Sequence, residues 1–379
     1  MGTLNCSRKI WMVDTTLRDG EQAPGVVFNT TEKLNIATAL CDIGMDEIEA
    51  GIPAMGDQAC QDIKQIMALN LPCMLSSWCR ADPKDIEKAI SCGTPGVHIS
   101  FPTSSVLLKT VDKTESWVLE TLRDLVGFCR TYFDQVSVGA QDATRTRGDF
   151  LHLFAQTAFD QGVDRLRLAD TVGMISPMAV ISLVKKVKHA APMLGLEFHG
   201  HNDLGMATAN AVSAVEAGAD ALSVTVNGLG ERAGNAALEE VVMALFEIGG
   251  YTGCIRTDKI KNLCDLVTKA SGITLSDSKP VTGKNVFCHE SGIHCSGLLK
   301  DASSYQLFAP ERVGRTKTQY VIGYHSGSAS IEHAIKNLGI HIDKTTAGKL
   351  LPLVRKTARQ QKSFLTPSQL KDLYLGVKE

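Results

Sequence analysis

One small pattern recurs along this chain and narrows its fold more than any other feature. The stretches IGMDEIEAGIP (43–53), QGVDRLRLADT (161–171) and AGADALSVTVN (217–227) share the form Gly-x-Asp-x-apolar and run into a short strand-like segment. PGVHISFP (95–102) is a looser fourth copy. Glycine is the usual residue just past a helix C-terminus, where the backbone takes a positive φ. A helix that ends in glycine and feeds a short apolar strand is the αβ junction of a βαβ unit.

Apolar runs elsewhere place strands near 10–14, 46–50, 73–77, 96–100, 135–139, 165–169, 196–200 and 221–226. Helical periodicity falls between them, over 31–42, 56–69, 83–91, 115–130, 149–160, 177–190 and 205–216. Eight strands alternating with helices over roughly 250 residues match an α/β fold of the (β/α)8 TIM-barrel type. A doubly wound open sheet competes, but no GxGxxG follows the first strand. The alternation stops near residue 265, which predicts a barrel domain over 8–265 and a mainly helical region over 266–379, with helices at 328–338 and 346–361.

Composition sets the class of partner. With 39 basic and 41 acidic residues the formal net charge is -2, which gives no reason to expect nucleic acid or an anionic membrane. No apolar run approaches the ~18 residues of a membrane span, and MGTLNCSRKIW carries no apolar signal core. The 11 cysteines are an odd number with no CxxC pair, which favours reduced thiols and a cytoplasmic location.

In a barrel, chemistry sits on the loops at the C-terminal ends of the strands. The unusual polar clusters fall there repeatedly: DTTLRDGEQ (14–22), Glu49-Ala50-Gly51, AQDATR (140–145), ADT (169–171), HGHND (199–203) and NGLGERAGN (227–235). Each has a structural alternative. Asp14-Thr15-Thr16 suits a turn or helix cap, Arg18 and Asp19 suit a surface ion pair, and GLGERAGN suits a flexible glycine loop. His199 and His201 are different. Side chains at i and i+2 of a strand share a face, so both imidazoles converge on one spot. Asp19 and Asn235 are placed to add a carboxylate and an amide oxygen. Mixed nitrogen and oxygen ligation suits Zn²⁺, Mn²⁺ or Fe²⁺ and, with more water, Mg²⁺.

DTTLRDGEQAPG, HGHNDLGMATANAVSAVEAGAD, NGLGERAGNAALEEV and HESGIH together closely resemble the acyl-CoA-condensing branch of the DRE-TIM metallolyases. That branch holds the homocitrate, 2-isopropylmalate and citramalate synthases. The resemblance runs from about residue 9 to 340, and GNAALEEVVMAL, WCR (78–80) and the length look most like the homocitrate synthases of nitrogen fixation.

The resemblance implies an acyltransferase that condenses acetyl-CoA with a 2-oxo acid, 2-oxoglutarate being the first expectation. Pyruvate or 2-oxoisovalerate, as in the citramalate and isopropylmalate synthases, is the alternative. It implies that Asp19, His199 and His201 bind the divalent metal (Mn²⁺, Mg²⁺ or Zn²⁺), with Asn235 as a further or water-mediated ligand. Arg18 would lie beside the substrate carbonyl and Thr171 on the oxo acid carboxylate, with Gln141 lining the site. Glu49 would orient Arg18, or else make a structural ion pair. His294 and Tyr305 match the family's acid–base pair, often lent by a neighbouring subunit, which implies a homodimer. One departure is expected to matter. Strand five reads VSVGAQ, with Gln141 where many members carry Glu, and without the Arg that lysine-pathway homocitrate synthases place there. Arg145 and Arg147 are the nearby cations, and as loop residues they are expected to be solvated.

Overall fold

The computed structural model describes residues 9–248 and 253–378. Eight parallel strands close into a barrel in sequence order. They are β1 (Trp11–Asp14), β2 (Glu47–Gly51), β3 (Met74–Arg80), β4 (Gly96–Pro102), β5 (Gln135–Gln141), β6 (Arg165–Asp170), β7 (Gly195–Gly200) and β8 (Ala221–Val224). Closure is made by β1 against β8, with Trp11 opposite Ala221 and Asp14 opposite Val224. Helices α1 (Thr30–Ile43), α2 (Asp57–Met67), α3 (Pro83–Cys92), α4 (Ser105–Thr110), α5 (Glu115–Cys129), α6 (Gly148–Asp160), α7 (Pro177–Ala190), α8 (Ala207–Ala217), α9 (Leu238–Glu247) and α10 (Ile260–Ser271) accompany them.

The Gly-x-Asp repeat has a physical reason. Gly44, Gly162 and Gly218 all take positive φ, at 92°, 73° and 112°, ending the helix before a strand. Two residues on, each aspartate ties the new strand to the foot of the preceding one. Asp46 accepts from the Met12 N–H at 3.0 Å, Asp164 from Val136 at 2.7 Å and Asp220 from Leu196 at 2.9 Å. Each is also ion-paired, with Lys9, Arg130 and Lys188 respectively. The looser fourth copy lacks the aspartate. There the Pro95 carbonyl accepts from the N–H groups of Asp134 and Gln135 at 2.9 and 3.2 Å.

The strands alternate apolar and polar residues, as in Arg165-Leu166-Arg167-Leu168, and both sets are buried. Successive side chains on a strand face opposite sides, so the leucines lie under the helices and the arginines enter the barrel. Most barrels fill that interior with branched apolar layers. Here charges fill much of it.

The chain divides into two compact units, one running through Thr274 and the other starting at Leu275. The boundary expected at 265/266 therefore shifts beyond α10. That helix buries Ile260, Leu263, Cys264 and Val267 and packs against α1. The second unit holds a two-stranded parallel ribbon, β9 (Cys288–His289) with β10 (Gln319–Tyr320), and α11 (Gly292–Leu298), α12 (Ser328–Asn337), α13 (Lys344–Gln361) and α14 (Pro367–Lys378). Its core is built from Ile331, Ile335, Leu350, Val354, Leu370 and Tyr374. Among the described residues the cysteines are free thiols, and no helix is long and apolar enough to cross a membrane.

Candidate active site

Residues 14–19 form one tight turn after β1. The Thr15 carbonyl accepts from the N–H groups of Arg18, Asp19 and Gly20 at 3.0, 2.8 and 3.0 Å. Asp14 accepts from the Thr16 N–H at 2.9 Å and from its hydroxyl at 3.0 Å. The Thr16 oxygen in turn accepts from the Val226 N–H at 2.9 Å, across the closing strand. Asp14, Thr15 and Thr16 are therefore the turn-builders of the structural alternative, and what they build presents Arg18 and Asp19 to the mouth. Burial pushes the Asp14 carboxyl up to about 7, against the two Thr16 hydrogen bonds.

Asp19, His199 and His201 converge. His199 Nε2 lies 3.1 Å from Asp19 Oδ2 and 3.3 Å from His201 Nε2, and His201 Nε2 lies 4.0 Å from the same carboxylate oxygen. All three residues are buried. Asp19 Oδ2 has no hydrogen-bond partner by geometry, although His199 is close. Burial raises the Asp19 carboxyl, but Arg18 and then the two histidines outweigh it and hold it well below the carboxylate range. Burial, then His199, pushes His201 down to about 4. The centre is thus an ionised carboxylate facing at least one neutral imidazole. Electron pairs gathered this closely are reconciled by a cation, and one carboxylate with two imidazoles suits a divalent transition ion. Ser223 Oγ lies 3.0 Å from His199 Nδ1 and orients that ring. Asn235 pairs with His201 in an isolated bridge. It donates its amide N–H to Leu229 O at 2.9 Å and keeps a buried Oδ1 without a partner.

Below this centre runs a chain of alternating charges. Glu47 accepts from Arg165 Nη2 at 2.7 Å, and Arg165 Nε donates to Glu197 at 2.6 Å. Arg167 Nε donates to the other Glu197 oxygen at 2.5 Å, and its Nη2 donates to Glu49 at 2.6 Å. Arg18 Nε donates to the remaining Glu49 oxygen at 2.6 Å. Glu49 thus both orients Arg18 and belongs to a structural ion-pair network, so the two readings of it coexist. Burial raises its carboxyl, yet Arg167 and Arg18 hold it well below the usual range.

A cavity of about 260 Å³ opens over these groups, bordered by Arg18, Asp19, His199, His201, Gln141 and Thr171 among others. Its further wall carries Trp78, His98, Ser100, Gly139, Arg167 and Ala169. The Trp78 ring lies 5.5 Å from the Arg18 guanidinium carbon, as in a cation–π contact. Thr171 Oγ1 accepts from the Asp142 N–H at 2.8 Å, which leaves its own proton for an anion. A larger cleft of about 1080 Å³ lies between α6 and α7. It gathers no comparable set of buried ionised groups, so the smaller cavity is the chemical one.

Arg145 is held by Asp142 through Nε at 2.9 Å and Nη2 at 2.7 Å, and Arg147 pairs with Asp149. Both are engaged away from the cavity lining, as solvated loop residues. His294 and Tyr305 lie in the second unit, where their rings stack at 4.2 Å and 25°. A Cβ on Gly297 would meet the Tyr305 ring at 2.8 Å, so glycine at that position makes room for the ring.

Residues 9–267 match the family model described as HMGL-like, and residues 281–362 match that of the homocitrate synthase post-HMGL domain. The chain belongs to the isopropylmalate/homocitrate synthase family of DRE-TIM metallolyases. It is 45% identical to 2-isopropylmalate synthase 2 of Caldanaerobacter subterraneus, over 98% of this chain and 96% of that protein. It is 41% identical to homocitrate synthase 1 of a Nostoc species, over 96% and 97%. It is 40% identical to the 2-phosphonomethylmalate synthase of Streptomyces rubellomurinus, over 95% and 96%. The HMG-CoA lyase of Bacillus subtilis shares the fold, with a TM-score of 0.65 at 20% identity over 71% of this chain and 95% of that one.

The sequence reading assigns no role at the site to Glu47, Arg165, Arg167, Glu197, His98 or Trp78. A signal for the first three was present. Glu47-Ile48-Glu49 and Arg165-Leu166-Arg167 repeat charge at i and i+2, which sends both charges to one face of a strand.

Proposed function

We propose that this protein condenses acetyl-CoA with a 2-oxo acid, releasing CoA and a 2-hydroxy di- or tricarboxylate according to the tail of the oxo acid. The convergence of Asp19, His199 and His201 beside Arg18 carries this reading. Asp19, His199 and His201, with Asn235 as a further oxygen donor, would hold a divalent cation, and its chemistry there would be Lewis acidity at the keto group. Arg18, fixed by Glu49, donates to the oxygen that gains charge as the keto carbon is attacked. The Thr171 hydroxyl donates to the oxo acid carboxylate. His294 and Tyr305 are assigned the acid–base work. A base takes a proton from the acetyl methyl, the resulting carbanion forms the carbon–carbon bond, and the alkoxide is reprotonated. Water then cleaves the thioester to a carboxylate and free CoA. Gln141 is a neutral amide and is assigned no proton transfer.

The relatives support an isopropylmalate- or citramalate-type substrate better than 2-oxoglutarate, since the isopropylmalate synthase is the more similar at 45% against 41%. The test is thiol release from acetyl-CoA with Mn²⁺ and a panel of 2-oxo acids. Release that depends on both metal and oxo acid supports the proposal, and no acid-dependent release with any member would sink it.

A further inference from the structure

The far wall of the cavity contains a buried cation that the family resemblance does not provide for. Arg167 is 3% exposed and borders the same cavity as Arg18, Asp19 and His199. Two of its three nitrogens are committed, Nε to Glu197 and Nη2 to Glu49. The third, Nη1, has no hydrogen-bond partner and almost no accessible surface, so an acceptor entering the cavity reaches it only by shifting the side chains that cover it. A buried donor left unmade is costly, so the site is incomplete until an acceptor reaches it.

The neighbours do not supply that acceptor or duplicate the donor. On β5 the residue beside Arg167 is Gly139, which has no side chain. Ser137 Oγ, with one proton, donates to Val97 O at 3.3 Å and so accepts from His98 Nδ1 at 2.9 Å. That network assigns His98 the Nδ1–H tautomer, with a lone pair on Nε2. Burial, then Arg167, keeps this imidazole neutral. His98 therefore offers substrate no donor from Nε2. Arg18, Arg165 and Arg167 face Glu47, Glu49 and Glu197, so the floor is balanced in charge. What Arg167 has left to give is hydrogen bonds.

We propose that Arg167 is a specificity-determining residue, whose Nη1 donates to an oxygen acceptor on the tail of the 2-oxo acid. The preferred substrate class is then a 2-oxo acid with an oxygen-bearing tail, for which 2-oxoglutarate is the probe. An apolar branched tail lying over Nη1 leaves the donor unpaired. A site built around such a donor rejects the analogue that lacks the acceptor. Strand six thus takes the role that strand five, with Ser137 and Gly139, cannot fill. This inference rests on the condensation reading for its substrate family, and departs from the isopropylmalate- or citramalate-type substrate that the relatives favour.

The experiment is calorimetric binding of 2-oxoglutarate, 2-oxoglutaramate, 2-oxoisovalerate and pyruvate to the Mn²⁺-loaded protein, without acetyl-CoA. Wild type, Arg167→Lys and Arg167→Met are compared by the ratio of dissociation constants, in which general damage cancels. The expected result is that wild type binds the two oxygen-tailed acids about ten- to hundredfold tighter than the apolar ones, and that the ratio collapses towards one in both variants. Arg167→Lys keeps a cation between Glu49 and Glu197, so it decides the matter if Arg167→Met does not fold. Tighter binding of 2-oxoisovalerate or pyruvate by wild type overturns the proposal, as does an unchanged ratio in Arg167→Lys or no binding of any acid. Thiol release is read separately. Its loss with the binding ratio intact defeats the condensation reading alone, and its presence with an unaltered ratio defeats Arg167 alone.

Discussion

Gly139 and His98 share a space that holds only one side chain: a Cβ on Gly139 would lie 2.7 Å from His98 Nε2. The His98 ring lies over the backbone of β5, and its other nitrogen is fixed by Ser137. Gly139→Ala forces the imidazole off this position in a packed interior, which costs about 1–3 kcal/mol. Denaturant unfolding measures the loss. An alanine variant as stable as wild type, with unaltered substrate affinity, would show that the ring moves freely.

Glu197 holds two arginines at once, at 2.6 and 2.5 Å. Replacing one partner in a buried charge network leaves uncompensated charge and costs about 3–5 kcal/mol. Glu197→Gln is therefore expected to destabilise by that order, far more than the loss of an exposed pair. Urea unfolding with an unchanged slope checks it, and a loss below about 1 kcal/mol would mean that water or a shifted neighbour replaces the carboxylate.

Asp14 makes stability depend on pH. Its carboxyl is pushed up to about 7 by burial, against about 3.9 in an unfolded chain. The folded form thus holds the proton more tightly. The favourable contribution is complete below about pH 4 and is lost as pH rises through 7, by on the order of 4 kcal/mol. Asp14→Asn removes the titration. Asparagine still accepts from the Thr16 N–H but not from its hydroxyl, so the variant loses stability at pH 5 and regains it relative to wild type at pH 8.5. Parallel stability curves for the two proteins would contradict this.

His201 contributes one of the three convergent ligand atoms at the proposed metal centre. Loss of an outer-shell partner alone weakens metal sites about 10–100-fold, so His201→Ala should weaken Mn²⁺ binding by at least about tenfold. Metal content after dialysis, and the thermal shift on adding Mn²⁺ or a chelator, read this without turnover. Retention of Mn²⁺ equal to wild type would remove the residue from the ligand set.

The barrel was largely legible because its strands announce themselves locally. Each Gly-x-Asp junction places a helix end, a turn and a strand start within four residues, and the eight expected strands lie within a few residues of those observed. The His199/His201 convergence was legible for the same reason, since it needs only the period of one strand. Short α4 and the stretch after β8 were not. No Gly-x-Asp strand follows α9 or α10, so the repeat stops marking the boundaries while the packed unit continues. The charge chain was hidden by distance. Glu47 meets Arg165, and Glu49 meets Arg167, across 118 positions of sequence. Only closure of the barrel makes the two i, i+2 charge pairs partners, and only that network shows which nitrogen of Arg167 is left over.

The central claim is that the Asp19, His199 and His201 centre forms a carbon–carbon bond rather than merely cleaving a thioester. Mass spectrometry of the products from trideuteroacetyl-CoA, Mn²⁺ and the preferred 2-oxo acid tests it directly. Condensation predicts a hydroxy acid carrying both acetyl carbons and two of the three deuterons, formed in step with free CoA. Free CoA accompanied only by trideuteroacetate, with the oxo acid unchanged, would contradict it.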